Sequence, residues 1–254
     1  MKKVVKLLGV LMLMLCFAFT ANSAEKKEKL YVGTNAEFKP YEYLEGDKIV
    51  GFDIELMEAM AEEAGYTVKW NNMTFDGLLP ALQMGKIDAV IAGMSPTAER
   101  QKAVDFGKPY LNFQTGHAVI VREDEKDIVK NEDLNGKVVG VQLGTKQEDL
   151  AKGYGAEIVR YDSFTGSLLA LKQSKVQAVV LDEQSAGKYL KTMDGVKITD
   201  IIYDSDPGES IAVKKGNTKL VEELNAAFDK VVESGKYYEI LNKYFPEKAA
   251  EMKL

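Results

Sequence analysis

Beyond residue 30 the apolar positions switch between two periods. Leu30-Tyr31-Val32-Gly33-Thr34, Tyr66 to Trp70 and Ile87-Asp88-Ala89-Val90-Ile91 read as short strands. Between them the spacing lengthens to that of helices. Asp53 is expected to cap a helix running to Ala64, with Ile54, Met57, Ala61 and Ala64 on one face and Gly65 as its stop. A second helix is predicted from Phe75 to Met84, ended by Gly85. Asn35 to Gly51 reads as irregular. The second half repeats the scheme. Strands are predicted at Lys137-Val138-Val139-Gly140-Val141, Glu157 to Tyr161, Val176 to Leu181 and Ile211-Ala212-Val213. Helices are predicted at Thr145 to Lys152 and Ser163 to Lys172. Thr218 is expected to cap a long helix in which Leu220, Leu224, Ala227 and Val231 keep helical spacing. A last helix, about Tyr237 to Tyr244, closes the pattern.

Strands alternating with helices point to parallel α/β sheets. Two such units in one chain imply two lobes with a cleft between them. Ligands of open α/β sheets sit at the carboxyl ends of the strands, so such a cleft is lined from both sides. The chain is expected to cross between lobes near Leu111 to Thr115 and again near Tyr203 to Ser210.

The first residues change the cellular picture. Lys2, Lys3 and Lys6 precede an apolar stretch from about Leu7 to Ala21, then Ala21-Asn22-Ser23-Ala24. This is the plan of a cleavable export signal, residues 1–23, with cutting after Ser23 or Ala24. The lone Cys16 lies inside that segment, and the preceding Leu15 argues against a lipidation site. The mature chain then has no cysteine, no disulfide and no Cys metal site. A single histidine, His117, also argues against a transition-metal site, and it is expected to pair with backbone or water. The net charge of −6 becomes −9 once the three leader lysines are gone. That acidity argues against nucleic-acid binding. A soluble, exported monomer needing no cofactor is expected.

The richest stretch for chemistry runs from Ala92 to Phe106. Gly93-Met94-Ser95-Pro96-Thr97 stops a strand, and Ser95 or Thr97 can cap a short helix. Arg100 then stands just past a strand end beside N–H donors and hydroxyls, a receptor for a small carboxylate. Asp182 ends an apolar strand, where it either faces a cleft or caps the helix after it. Thr145 follows Gly144 at a helix start, another place for an anion. Asp204-Ser205-Asp206-Pro207-Gly208-Glu209 lacks calcium-loop spacing and reads as a turn near a crossing.

Taken together, the chain resembles the periplasmic polar amino-acid-binding proteins of bacterial ABC importers, solute-binding protein family 3, over residues 29–246. The resemblance is carried by Gly33 to Tyr43, Ile49 to Leu56, Met73 to Leu82, Gly85 to Ala89, Ala92 to Phe106, Val141 to Thr145 and Ala178 to Asp182. It implies a two-lobed type II periplasmic-binding fold with two hinge strands. Lobe one is then 27–112 plus 208–254, and lobe two 113–207. By the same resemblance Arg100 binds the ligand carboxylate with help from Ala92, Gly93 and Ser95, and Asp182 binds its ammonium. Phe38 and Phe75 sandwich the side chain.

Asn35, Glu37, Glu42 and Gln142 are the candidate readers of the side-chain tip. Many relatives have Asp where Asn35 stands, often as the partner of a basic ligand; its absence weakens a lysine or arginine preference without excluding it, and Glu37 or Glu42 can supply the negative charge instead. Gln142 suits an amide or a guanidinium. Lys146, where relatives often carry a small or hydroxylic residue, either adds charge to the cleft or faces solvent. The expected function is periplasmic capture of a free polar L-amino acid, arginine or lysine slightly ahead of glutamine, and delivery to an ABC permease without catalysis. The rival readings are a cyclohexadienyl or arogenate dehydratase on the same scaffold, with Glu37 or Glu42 as its acid, and a ligand-sensing module.

Overall fold

The computed structural model describes residues 28–112, 116–205 and 207–252. The export signal and Cys16 lie outside them, as do positions 113–115 of the first expected crossing and Asp206.

Elements are numbered in chain order. The first half holds β1 (Glu28–Thr34), β2 (Glu37–Phe38), β3 (Glu42–Glu45), β4 (Lys48–Val50), α1 (Phe52–Glu63), β5 (Tyr66–Asn72), α2 (Phe75–Gln83), β6 (Ala89–Val90), α3 (Ala98–Ala103) and β7 (Val104–Leu111). Then come β8 (Gly116–Arg122), β9 (Val138–Gln142), α4 (Lys146–Gly153), β10 (Glu157–Tyr161), α5 (Phe164–Lys172), β11 (Ala178–Asp182), α6 (Glu183–Tyr189) and β12 (Val196–Tyr203). The last elements are β13 (Glu209–Lys214), α7 (Thr218–Glu233), α8 (Lys236–Tyr244) and α9 (Pro246–Met252).

Two five-stranded sheets share one plan. The first has the order β5-β1-β6-β13-β7 and the second β10-β9-β11-β8-β12. In each, three parallel strands are followed by one that runs against them and a last one that runs with them again. The chain passes between sheets twice, from β7 to β8 and from β12 to β13. Each arriving strand, β8 or β13, is inserted before the last strand of its new sheet. Glu209 pairs with Leu111, so the two passages lie side by side.

Helices cover both faces of each sheet. On the first, Val32, Leu56, Met57, Leu224, Ile240 and Leu241 fill one side, and Leu78, Leu82, Ile87, Val90 and Met94 the other. Leu220, Leu224, Ala227 and Val231 of α7 are all buried there, as their spacing requires. On the second sheet Phe164, Leu168 and Leu171 pack on one face and Val139, Val141 and Ile128 on the other.

Several sequence expectations change. Residues 35–51 are not irregular: they contain the antiparallel set β2-β3-β4. Asp53 does not cap α1. It lies inside the first turn, fully buried, and Gly51 holds the cap position. The helix start is satisfied by backbone instead, with Phe52 N donating to Pro40 O at 3.1 Å and Asp53 N to Tyr41 O at 2.9 Å. The cap of α7 is Asn217, whose side chain accepts from Leu220 N, and not Thr218. Helix α9 carries no long periodic signal and was missed.

That backbone cap needs a glycine. Gly51 has φ +139°, and a Cβ there would stand 2.1 Å from Tyr41 O. The obstacle is backbone held by the same hydrogen bonds, so it cannot swing aside as a side chain can. Gly51→Ala is expected to cost about 2 kcal/mol or more in urea unfolding; a loss within experimental scatter would contradict this account of the α1 start.

Candidate functional site

Both sheets present their residues from the same place. Asn35 and Phe38 follow β1, and Ala92, Gly93 and Ser95 follow β6, its neighbour. Gln142 ends β9, Thr145 and Lys146 follow it, and Asp182 ends β11, again its neighbour. These are the carboxyl ends where adjacent parallel strands connect in opposite directions, so the loops part and leave a crevice. The two crevices meet in one cavity. It is lined by Asn35, Phe38, Glu42, Phe75, Ala92, Gly93, Ser95, Arg100, Gln142, Thr145, Lys146 and Asp182. His117, Gln147, Phe164 and Glu209, none of them expected from sequence, complete it.

Glu37 is the expected residue that the cavity leaves out. Successive side chains of an extended strand point to opposite sides. Phe38 takes the cavity side, and Glu42, its register partner on β3, lies with it. Glu37 instead offers its backbone carbonyl to Tyr189 Oη at 2.6 Å.

Arg100 sits in α3, capped by Thr97, whose Oγ1 accepts from Arg100 N. Its Nη1 donates to Ser95 O at 2.9 Å and its Nη2 crosses the cleft to Gly144 O at 3.0 Å. The guanidinium lies 5.2 Å from the centre of the Phe75 ring. The cation is thus fixed at the seam, in the cavity wall.

Asp182 does both things its position allows. Its Oδ1 accepts from Ser185 N at 2.9 Å, capping α6, and the residue also forms cavity wall. Burial pushes its carboxyl up to about 6, against the pull of Ser185 N–H and nearby His117. His117 pairs opposite it in the sheet. The histidine does not simply meet backbone or water. Its Nδ1 contacts Gln147 Nε2 at 3.2 Å and its Nε2 lies 3.5 Å from Asp204 Oδ1. Lys146 faces the cavity and pairs with Asp204 Oδ2 at 2.5 Å, which ties this loop to the second passage between sheets.

A second acidic group lies on the side of the first lobe. Asp53 Oδ2 accepts from Gly93 N at 2.8 Å and from Tyr110 Oη at 2.7 Å. This tertiary demand is what takes Asp53 away from helix capping. Burial raises its carboxyl to about 6. Glu42 beside it is pushed well above the carboxylate range, by burial first and then by Asp53. Asp53 therefore anchors the loop that carries Gly93, and burial favours the protonated form of Glu42 beside it.

Rings form the remaining walls. Phe38 stacks on Tyr41 at 4.5 Å and on Phe164 of the other lobe at 5.5 Å. A Cβ at Gly93, whose φ is +52°, would come within 2.5 Å of the Phe38 ring, so glycine is what admits it. Gln142 Nε2 donates to Asn35 Oδ1 at 3.0 Å across the cleft, while Asn35 Nδ2 is held by Met73 O at 2.9 Å. Gln142 Oε1 is buried with no donor among the described residues. The missed residues had weak signals. Phe164 opens a helix one residue after a cap, and Glu209 sits in a turn-rich segment, so neither carried a motif.

The model of the Bacterial extracellular solute-binding proteins, family 3, matches residues 30–247. The chain belongs to this family. The solute-binding protein is 35% identical over 237 residues to the arginine-binding extracellular protein ArtP of Bacillus subtilis (strain 168), with 91% of each chain covered. An ancestral arginine-binding protein bound to arginine superposes with a TM-score of 0.79 at 42% identity, covering 85% of this chain and 98% of that one. An ancestral arginine-binding protein bound to glutamine gives 0.78 at 43% identity, covering 85% and 97%. The two-lobed periplasmic-binding fold expected from the sequence is the fold of these neighbours.

The raised Asp182 carboxyl has a signed consequence. The folded state keeps this proton to about pH 6, the unfolded chain only to about 4. Its contribution to stability therefore falls as pH rises from about 4 to 6 and stays low above that. Without ligand, the wild type is expected to lose on the order of 2 kcal/mol relative to Asp182→Asn between pH 4.5 and 7.5. Urea unfolding at both pH values checks this, and a pH-independent difference contradicts it.

Proposed function

We propose that this solute-binding protein captures free L-arginine outside the cytoplasmic membrane and hands it to an ABC permease. In this reading residues 1–23 are a cleaved export signal, the mature protein is a periplasmic monomer, and it catalyses nothing. Its lobes comprise 27–112 plus 208–254, and 113–207.

The observation that carries the reading is the charge pattern of the cavity. Arg100 stands in one wall, and Glu42, Asp182 and Glu209 stand in the others, with Phe38, Phe75 and Phe164 between. Arginine brings one carboxylate and two cations joined by a chain that stacks well against rings. Arg100 would take the carboxylate with Ser95 and Thr145. Asp182 would take the α-ammonium. Glu42 and Glu209, with the vacant Gln142 Oε1 acceptor, would take the guanidinium. The missing Asp at position 35 is thereby replaced by carboxyls from β3 and β13. Names of similar proteins support the same choice, since ArtP and the ancestral protein are described as arginine-binding. The glutamine-bound relative fits a cavity whose Gln142 amide serves either side chain.

A thermal-shift screen of the twenty amino acids is expected to place L-arginine first, because stabilisation follows concentration over dissociation constant. Arg100→Ala should weaken arginine by about 100-fold or more in calorimetry, since a buried carboxylate is left unpaired. Unchanged affinity would remove Arg100 from its role, and a larger shift with an acidic or apolar amino acid would overturn the ligand class.

Protons distinguish a cationic from a neutral side chain. Asp182 must shed its proton for any α-ammonium, but Glu42 needs to do so only for a guanidinium. Near pH 5.5, calorimetry in buffers of different ionisation enthalpy should therefore show more protons released by arginine than by glutamine. Equal release by both would count against Glu42 as a guanidinium partner.

A further inference from the structure

Helix α6 (Glu183–Tyr189) makes a set of contacts that the ligand site does not need. Ser185 Oγ donates to Lys39 O at 2.5 Å, and Tyr189 Oη donates to Glu37 O at 2.6 Å. Donors and acceptors belong to different sheets. Ser185 and Tyr189 lie in the second lobe after β11, while Glu37 and Lys39 lie in and beside β2 of the first. Ser185 is fully buried although its hydroxyl points at the other lobe.

Residues four apart on a helix share a face about 6 Å apart along the axis, so both hydroxyls meet one short stretch of first-lobe backbone, Glu37 in β2 and Lys39 in the turn after it. Phe38, between those carbonyls, turns its ring to Phe164 of the second lobe at 5.5 Å. The acceptors are main-chain atoms, so the match depends on the helix side alone.

The helix is also tied to the cavity. Its N-cap is Asp182, which holds Ser185 N at 2.9 Å while forming cavity wall. One carboxylate thus sets the orientation of the helix and faces the ligand. We infer that Ser185 and Tyr189 form an interlobe latch, positioning residues that govern how long the cleft stays closed and so how slowly the solute leaves. They do this without contacting the solute. The latch rests on the solute-binding reading above but not on the choice of arginine.

The latch predicts a kinetic signature. Ser185→Ala and Tyr189→Phe each remove one hydroxyl, and the double variant removes both. Stopped-flow fluorescence with L-arginine should show dissociation about 3- to 10-fold faster for each single change and more for the double. The association rate should stay within about 2-fold, because the open cleft that the ligand enters lacks these bonds. Thermal unfolding without ligand reports the bonds that stay within the second lobe, since Ser185 also reaches the Asp182 carboxyl and Tyr189 reaches Thr165. A second measurement needs no ligand. Dye pairs placed one on each lobe, read by single-molecule energy transfer, should show a smaller closed fraction in the ligand-free double variant than in ligand-free wild type. A wild-type dissociation rate and an unchanged closed fraction in the double variant would overturn the latch. If arginine fails to bind wild type, the ligand reading falls, and the ligand-free closed fraction still decides the latch.

Discussion

The structure turns on carboxyls buried at the seam between two separately folded sheets. Each lobe has its own core and satisfies its own strands. At the seam stand Asp182 from one side and Glu42 with Asp53 from the other, all shut away from water. Burial drives these groups toward their protonated forms, because a low-dielectric site penalises an unpaired charge. A cationic solute reverses that penalty. The affinity of the site and the state of its protons are therefore one physical quantity seen from two directions.

Closure has a different origin. The bonds that cross the cleft run mostly to main-chain or amide acceptors: Arg100 to Gly144 O, Gln142 to Asn35 Oδ1, Ser185 to Lys39 O and Tyr189 to Glu37 O. Three of the four join neutral groups, and such bonds are individually modest. Several such bonds can hold two lobes together without making the closed form irreversible. A ligand adds the differential contacts that shift the population further. The charges choose the solute, and the neutral bonds set the balance on which that choice acts. Lys146 and Asp204 join the two roles, since their pair links a cavity wall to the second passage between sheets.

The fold and most of the site were legible from residues. Periodicity separated strands from helices for the parallel strands of both sheets and for β13, and it found the buried face of α7, but it gave no sign of β7, β8 or β12. The family resemblance brought Arg100, Asp182, Phe38 and Phe75 together, and the structure places all four around one cavity. What failed was local chemistry overruled at a distance. Asp53 looks like a helix cap because its neighbours in sequence form a helix. It is instead claimed by Gly93 N and Tyr110 Oη, 40 and 57 residues away. His117 looked like an isolated ring because Gln147 and Asp204 are remote in the chain.

By itself the sequence determined what depends on short-range order: the alternating α/β plan, the small residues at strand ends, a cap for α3 from Ser95 or Thr97, the cationic Arg100 behind it and the family. The tertiary structure alone decided which side each polar group faces. Glu37 leaves the cavity and Glu42 enters it because strand β2 turns Phe38 inward. Glu209 joins because the second passage returns beside the first. Facing is a matter of one residue of strand register or one passage of the chain, and such choices are made by packing between segments that the linear pattern does not connect.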